Sequence, residues 1–231
     1  MDPMEPLAVS CWSVVLPVKP LHLAKTRLAL PPAVRVELVL AMALDTTTAA
    51  LACPRVARVL VVTDDARART DLVAAGADVV ADEPDAGLNP ALGHGAEVAA
   101  RARPDCGVAT LSADLPALRP AELATALDAA STHARAMLAD RSGDGTTLLT
   151  ATPGVPLAPA YGPHSRERHV AGGHVALDLP GVDSVRQDVD TLADLDTVAR
   201  LGAGPRTSAL IDELRRTDGR HDATEGRHRV R

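Results

Sequence analysis

Along the chain, short runs that are apolar at nearly every position alternate with longer stretches in which apolar residues return every three or four positions. Residues 13–18 (Ser-Val-Val-Leu-Pro-Val) and 58–63 (Arg-Val-Leu-Val-Val-Thr) are such runs. They suit strands buried on both faces. Shorter runs at 78–81, 107–112, 134–139 and 146–151 read as further strands, and 182–188 as the last. Helical periodicity fills the gaps: 32–51, opened by Pro32 where a missing N–H costs little; a helix to residue 75 capped by Asp64 and Asp65; 90–103; 120–130; and 191–201 as the last packed helix. This alternation predicts an α/β fold built on one mostly parallel, doubly wound sheet with helices on both faces. Residues 152–173, rich in Pro, Gly and His, suit a binding loop with a short helix near 166–171.

Length changes little in this picture: 231 residues fit one large domain, and no repeat or linker interrupts them. We divide the chain into an N-terminal extension (1–12), a single domain (13–214) and a polar tail (215–231) expected to be disordered. Composition narrows the function classes. Hydrophobic residues make up 46%, but there is no Phe, one Trp and one Tyr, so the core must be Leu, Val and Ala. Such a chain cannot offer the stacking platforms of a single-stranded nucleic-acid binder, and its net charge of −6 argues against nucleic acid generally. The tail's six Arg against three acids read as a solvated segment. Cys11, Cys53 and Cys106 form no CxxC pair. They read as small buried hydrophobes in a reducing compartment rather than as a zinc site or a disulfide framework. The first seven residues lack the pattern of a signal peptide, and no apolar run approaches the ~20 residues of a membrane span. A cytoplasmic protein without a membrane partner is expected. The sequence leaves oligomeric state open, and a homodimer is compatible with it.

Candidate chemistry begins with an oddity: the only lysines, Lys19 and Lys25, sit in one short segment, Pro-Val-Lys19-Pro-Leu-His-Leu-Ala-Lys25-Thr-Arg27. With Arg27 they make three cations in nine residues just after the first strand, a plausible cradle for a polyphosphate. It is not a P-loop, because GxxxxGK[ST] is absent. Asp114, in Leu-Ser-Ala-Asp114-Leu-Pro, follows a buried strand at the edge where open α/β sheets bind ligands; a helix cap or turn aspartate fits the same place. Asp188 and Asp190 are spaced i, i+2, so in an extended segment their carboxylates share a side and repel each other unless a cation lies between. Magnesium takes one or two carboxylates and completes its shell with water and phosphate oxygens. Asp190 could equally cap the following helix. Asp-Arg-Ser-Gly-Asp-Gly-Thr146-Thr and Tyr-Gly162-Pro-His-Ser165 supply glycines, hydroxyls and a short helix start that can approach an anion, or can simply be turns. His164, His169 and His174 have no metal-ligand spacing, and no Ser/His/Asp triad is justified.

Taken in order, Leu-Pro-Val-Lys, Ala-Lys-Thr-Arg-Leu, Leu-Asn89-Pro-Ala-Leu, Ala-Asp-Leu-Pro, Asp-Arg-x-Gly-x-Gly-Thr, Gly-Pro-x-Ser and Asp-Val-Asp-Thr resemble the phosphoenolpyruvate/2-phospholactate guanylyltransferases of coenzyme F-420 biosynthesis, over about residues 13–205. The resemblance implies a nucleotidyltransferase fold of the nucleotide-diphospho-sugar transferase type. It implies transfer of GMP from GTP to a phosphorylated three-carbon acid, with phosphoenolpyruvate the acceptor in bacterial members. By the same resemblance Asp114, Asp188 and Asp190 bind Mg2+. Thr146, Gly162 and Ser165 hold the acceptor. Lys19, Lys25 and Arg27 face the triphosphate, and Asn89 lies near the nucleotide. Ala113 departs from the pattern, where a glycine is usual, and its methyl could crowd the backbone.

Overall fold

A computed structural model describes residues 9–83 and 85–228, with side chains described to residue 217. Seven strands, β1 (Trp12–Pro17), β2 (Val56–Val62), β3 (Asp78–Val80), β4 (Gly107–Leu111), β5 (Arg135–Ala139), β6 (Thr146–Ala151) and β7 (Val175–Ala176), form one sheet in the order β3-β2-β1-β4-β6-β5-β7. β3, β2, β1 and β4 are parallel. β6 and β5 enter as an antiparallel hairpin, and β7 runs parallel to β5. The sheet is therefore mixed, although most of its pairings are parallel.

The continuous apolar runs are explained by burial on both sides. Val14 and Leu16, Val59 and Val61, Ala109 and Leu111 face one core layer, with α1 (Pro32–Leu51), α2 (Ala66–Ala74) and α4 (Pro120–Ala130). Val15, Leu60, Val62 and Val108 face the other, with α3 (Leu88–Ala102), and the short α5 (Ser165–Ala171) lies against β5 and β7. Gly95 lets α3 lie directly on β1 and β2, since a Cβ there would come within 2.7 Å of Val15 and Val62 methyl carbons. The chain steps outward from β1 to β2 and β3, then crosses back to β4 on the other side of β1. This reversal opens a crevice at the C-terminal ends of β1 and β4, where sheets of this kind bind ligands.

Several expectations need correction. Residues 182–188 are not a strand: Asp183–Arg186 form a short helix, α6. Val182, Val185 and Val189 are all buried, a spacing of three and four that fits a helical turn better than alternation. Glu122 accepts the Ser184 N–H and Ser184 Oγ accepts the Arg119 N–H, tying this turn to the start of α4. The last packed helix is not 191–201 (α7, Leu192–Leu201) but α8, Pro205–His228, which passes through the boundary set at residue 215. Buried Asp45 of α1 accepts the Arg206 and Thr207 N–H groups at its start, and Ile211 is buried in the same core layer. Residues 229–231 of the tail lie outside the described residues, as do the first eight of the extension. The cysteine reading fails in part. Cys53 and Cys106 are buried, but Cys11 and Cys106 form a disulfide. Parallel pairing in the register Trp12↔Gly107 sets the residues before β1 and β4 side by side, a juxtaposition that a separation of 95 residues conceals.

Candidate active site

Asp114 leaves the end of β4 and meets the segment after α6 through a backbone bond, Val189 N–H donating to the Asp114 carbonyl at 3.2 Å. Val189 turns into the core, which leaves Asp188 and Asp190 on the other side of an extended stretch. The result is that oxygens of Asp114, Asp188 and Asp190 all lie within 4.8 Å of one another. Asp190 is not the helix cap. Thr191 caps α7 with a reciprocal bond to Asp194, whose carboxylate also accepts the Asp190 N–H at 3.1 Å. Burial, then repulsion from Asp114 and Asp190, pushes the Asp188 carboxyl up to about 7.

Lys25 answers part of this charge. Its ammonium forms ion pairs with Asp114 and with Asp190, the latter at 2.5 Å. Burial works against the charged amine, but Asp114 and then Asp190 outweigh it and hold the group above its usual range. Lys25 has a φ of 53°, an unusual conformation for a non-glycine residue. Its side chain reaches into the carboxylates at the edge of the cavity. Lys19 and Arg27, both exposed, border a cavity of about 370 Å³ that also touches Lys25, Leu88, Ser112, Asp114 and Asp190. Ala113 borders it too and packs against the core.

Thr146, Gly162 and Ser165 do not line that cavity. They form an adjoining group reached through β6, where the Ser112 N–H donates to the Thr147 carbonyl at 2.9 Å. Thr146 and Ser165 are buried and hydrogen-bonded, Ser165 Oγ to Thr146 Oγ1 at 3.2 Å. Gly162 has a φ of 127°, and a Cβ there would come 2.7 Å from Arg168 Nη2. Asn89 bonds the backbone of Tyr161. Its amide donates to the Tyr161 carbonyl at 3.0 Å and accepts the Tyr161 N–H at 2.6 Å, so it clasps the loop before Ser165 to the start of α3.

Residues 12–231 match the family model described as guanylyl transferase, CofC like. The chain belongs to this guanylyl transferase family. Relatives named phosphoenolpyruvate guanylyltransferase include one from Streptomyces coelicolor, 59% identical over 88% of this chain and 97% of its own length. Another, from Thermomonospora curvata, is 58% identical over 88% and 90%. Among solved structures, a Desulfovibrio desulfuricans protein described as a nucleotide-diphospho-sugar transferase superposes with a TM-score of 0.64 at 16% identity, over 87% of this chain and 94% of that one. A 4-diphosphocytidyl-2C-methyl-D-erythritol synthase gives 0.53 at 14%, over 83% and 98%. These likenesses establish the nucleotidyltransferase fold expected of a guanylyl transferase.

Two further groups stand beside these residues. Asp140 shapes the turn between β5 and β6 by accepting the Gly143 and Asp144 N–H groups, and it adds to the charge felt by Asp188. His169 is fully buried against Thr146. Asp140 opens the Asp-Arg-Ser-Gly-Asp-Gly-Thr motif already legible in the sequence, whereas His169 escaped that reading because a lone histidine carries no local signal. Among the described residues no helix is long and apolar enough to cross a membrane.

Proposed function

We propose that this guanylyltransferase joins GMP from GTP to phosphoenolpyruvate, releasing pyrophosphate and giving enolpyruvyl-diphospho-guanosine for coenzyme F-420 biosynthesis. The activity named for its relatives supports this. The single observation of the site that carries it is the convergence of Asp114, Asp188 and Asp190 at the switch point of the sheet, beside a cavity bordered by Lys19 and Arg27. Joining two soluble small molecules fits a cytoplasmic protein without membrane or nucleic-acid partners.

The donor set fits Mg2+. Three carboxylates with no nitrogen or sulfur ligand suit a hard divalent cation, and burial together with repulsion from Asp114 and Asp190 makes a cation beside Asp188 favourable. Held by these aspartates, magnesium would reduce the repulsion between two anionic substrates. The other roles fall to the chain. The acceptor phosphate is already anionic near neutral pH and needs no general base. Thr146, Gly162 and Ser165 position it, a task worth several kcal/mol of barrier. Its oxygen bonds to the α-phosphorus of GTP as the bond from that phosphorus to the β-phosphate's bridging oxygen breaks. Lys19 and Arg27 neutralise the departing pyrophosphate, and Lys25 balances the aspartates whenever no cation does.

The test is mass spectrometry of products formed from GTP with phosphoenolpyruvate and 2-phospho-L-lactate in competition. The enolpyruvyl product should dominate. A dominant lactyl product, or equal use of ATP or CTP in place of GTP, would overturn the assignment.

A further inference from the structure

The hydrogen bonds around Thr146 can be counted. The Ala160 N–H donates to His169 Nε2 at 2.9 Å, so that nitrogen carries a lone pair. In a neutral imidazole the proton must then sit on Nδ1. His169 Nδ1 lies 2.9 Å from Thr146 Oγ1. Burial, then the neighbouring His174 and Arg168, push the ring's pKa down to about 4, so the neutral ring is the form present at neutral pH. Ser165 Oγ lies 3.2 Å from the same Thr146 oxygen. His169, Thr146 and Ser165 thus hold three hydrogens able to donate, with two contacts among them to use. One hydroxyl hydrogen is left without an acceptor among the described residues. Because the imidazole donates, Thr146 cannot satisfy its own hydrogen by turning it onto the ring. The spare donor gains most from an anionic oxygen.

We infer that His169 is a positioning residue for the acceptor: by donating from Nδ1 to Thr146, it turns a hydroxyl hydrogen of the Thr146–Ser165 pair towards an anionic oxygen of the phosphorylated carboxylic acid. This rests on the reading of Thr146 and Ser165 as acceptor contacts. His169 itself touches no substrate. Its second bond, from Ala160, fixes the tautomer and couples the loop before Gly162 to the orientation of the hydroxyls.

Two substitutions separate this role from plain anchoring of the loop. His169→Asn places an amide N–H where Nδ1 stood and gives up the bond from Ala160. His169→Gln places a carbonyl oxygen where Nε2 stood and gives up the donation to Thr146. Steady-state kinetics should show the KM for phosphoenolpyruvate raised about tenfold or more in H169Q and restored towards the parent value in H169N, with the KM for GTP unmoved in both. Thr146→Val should raise the same KM, and adding H169Q to it should bring little further loss. The reverse order, with H169Q normal and H169N impaired, or additive losses in the double variant, would overturn the inference. An unchanged KM in T146V would overturn the acceptor reading and this inference with it, whereas T146V impaired beside a normal H169Q would overturn the inference alone. Should the histidine variants not fold, 15N spectra of the histidine-labelled parent enzyme decide. A slowly exchanging Nδ1–H tautomer is expected for His169, and an Nε2–H tautomer would overturn the proposal.

Discussion

Asp188 is surrounded by reasons not to be charged: burial, then Asp114, then Asp190. Its folded pKa of about 7 lies above the ordinary value of 3.8. Stability linked to this group is therefore fully present below the ordinary value and is lost as pH rises through about 7. His169 runs the other way. Its pKa, about 4, lies below the ordinary 6.5, so its contribution is present above 6.5 and lost as pH falls through about 4. The two slopes oppose each other over the same range. Asp188→Asn should remove one of them. Without metal, its melting temperature should match the parent near pH 4 and exceed it increasingly towards pH 7. A difference that does not change with pH would disprove the assigned burial and repulsion. Asp190→Asn leaves the fold intact and should lower turnover by about a hundredfold or more, since it removes charge from the site that holds the phosphates. Near-parental product formation would sink the metal assignment. At this scale the sequence was informative where chemistry is rare. Clustered lysines and paired aspartates stood out, whereas His169, one of eight histidines, did not.

Elements decide where those side chains point. Asp188 and Asp190 share a side because burial alternates from Gln187 to Asp190, with Gln187 and Val189 turned inward, although the strand assigned to 182–188 is in fact the turn of α6. What fixes the segment is the far end of α7's capping box. Asp194 accepts from Asp190 N–H, Thr191 N–H and Thr191 Oγ–H at 3.1, 2.8 and 2.8 Å. Asp194→Ala should therefore cost about 1 kcal/mol of stability, measured by urea unfolding. It should also raise the magnesium needed for half-maximal rate, because Asp190 loses a backbone anchor. An unchanged magnesium requirement would show that Asp190 is held from elsewhere. Capping signals such as Thr-x-x-Asp are local and readable, but the choice between a buried turn and a buried strand for residues 182–188 depends on what Arg119 and Glu122, at the start of a distant helix, offer.

The molecule as a whole separates stability from chemistry along the strand axis. The Cys11–Cys106 disulfide joins the N-terminal ends of β1 and β4, whereas the carboxylates and the basic loop follow their C-terminal ends. Closing a loop of 95 residues in the unfolded chain stabilises by about 4–5 kcal/mol in the chain-entropy view. Cys106→Ser, or reduction, should lower the melting temperature while leaving both substrate KM values unchanged. A change in KM without a change in stability would contradict this separation. The sequence by itself determined the strand–helix alternation, the two-sided burial of the strands and the identity of the acidic and basic groups. Those follow from local periodicity and from residue types that few positions can use. Tertiary structure alone decided that β1 and β4 are neighbours, that Cys11 meets Cys106, that Lys25 turns into the aspartates and that His169 completes a hydroxyl pair. Each of these depends on the crossing-back of the chain to β4 or on contacts between segments far apart in sequence, and local pattern carries no record of such distances.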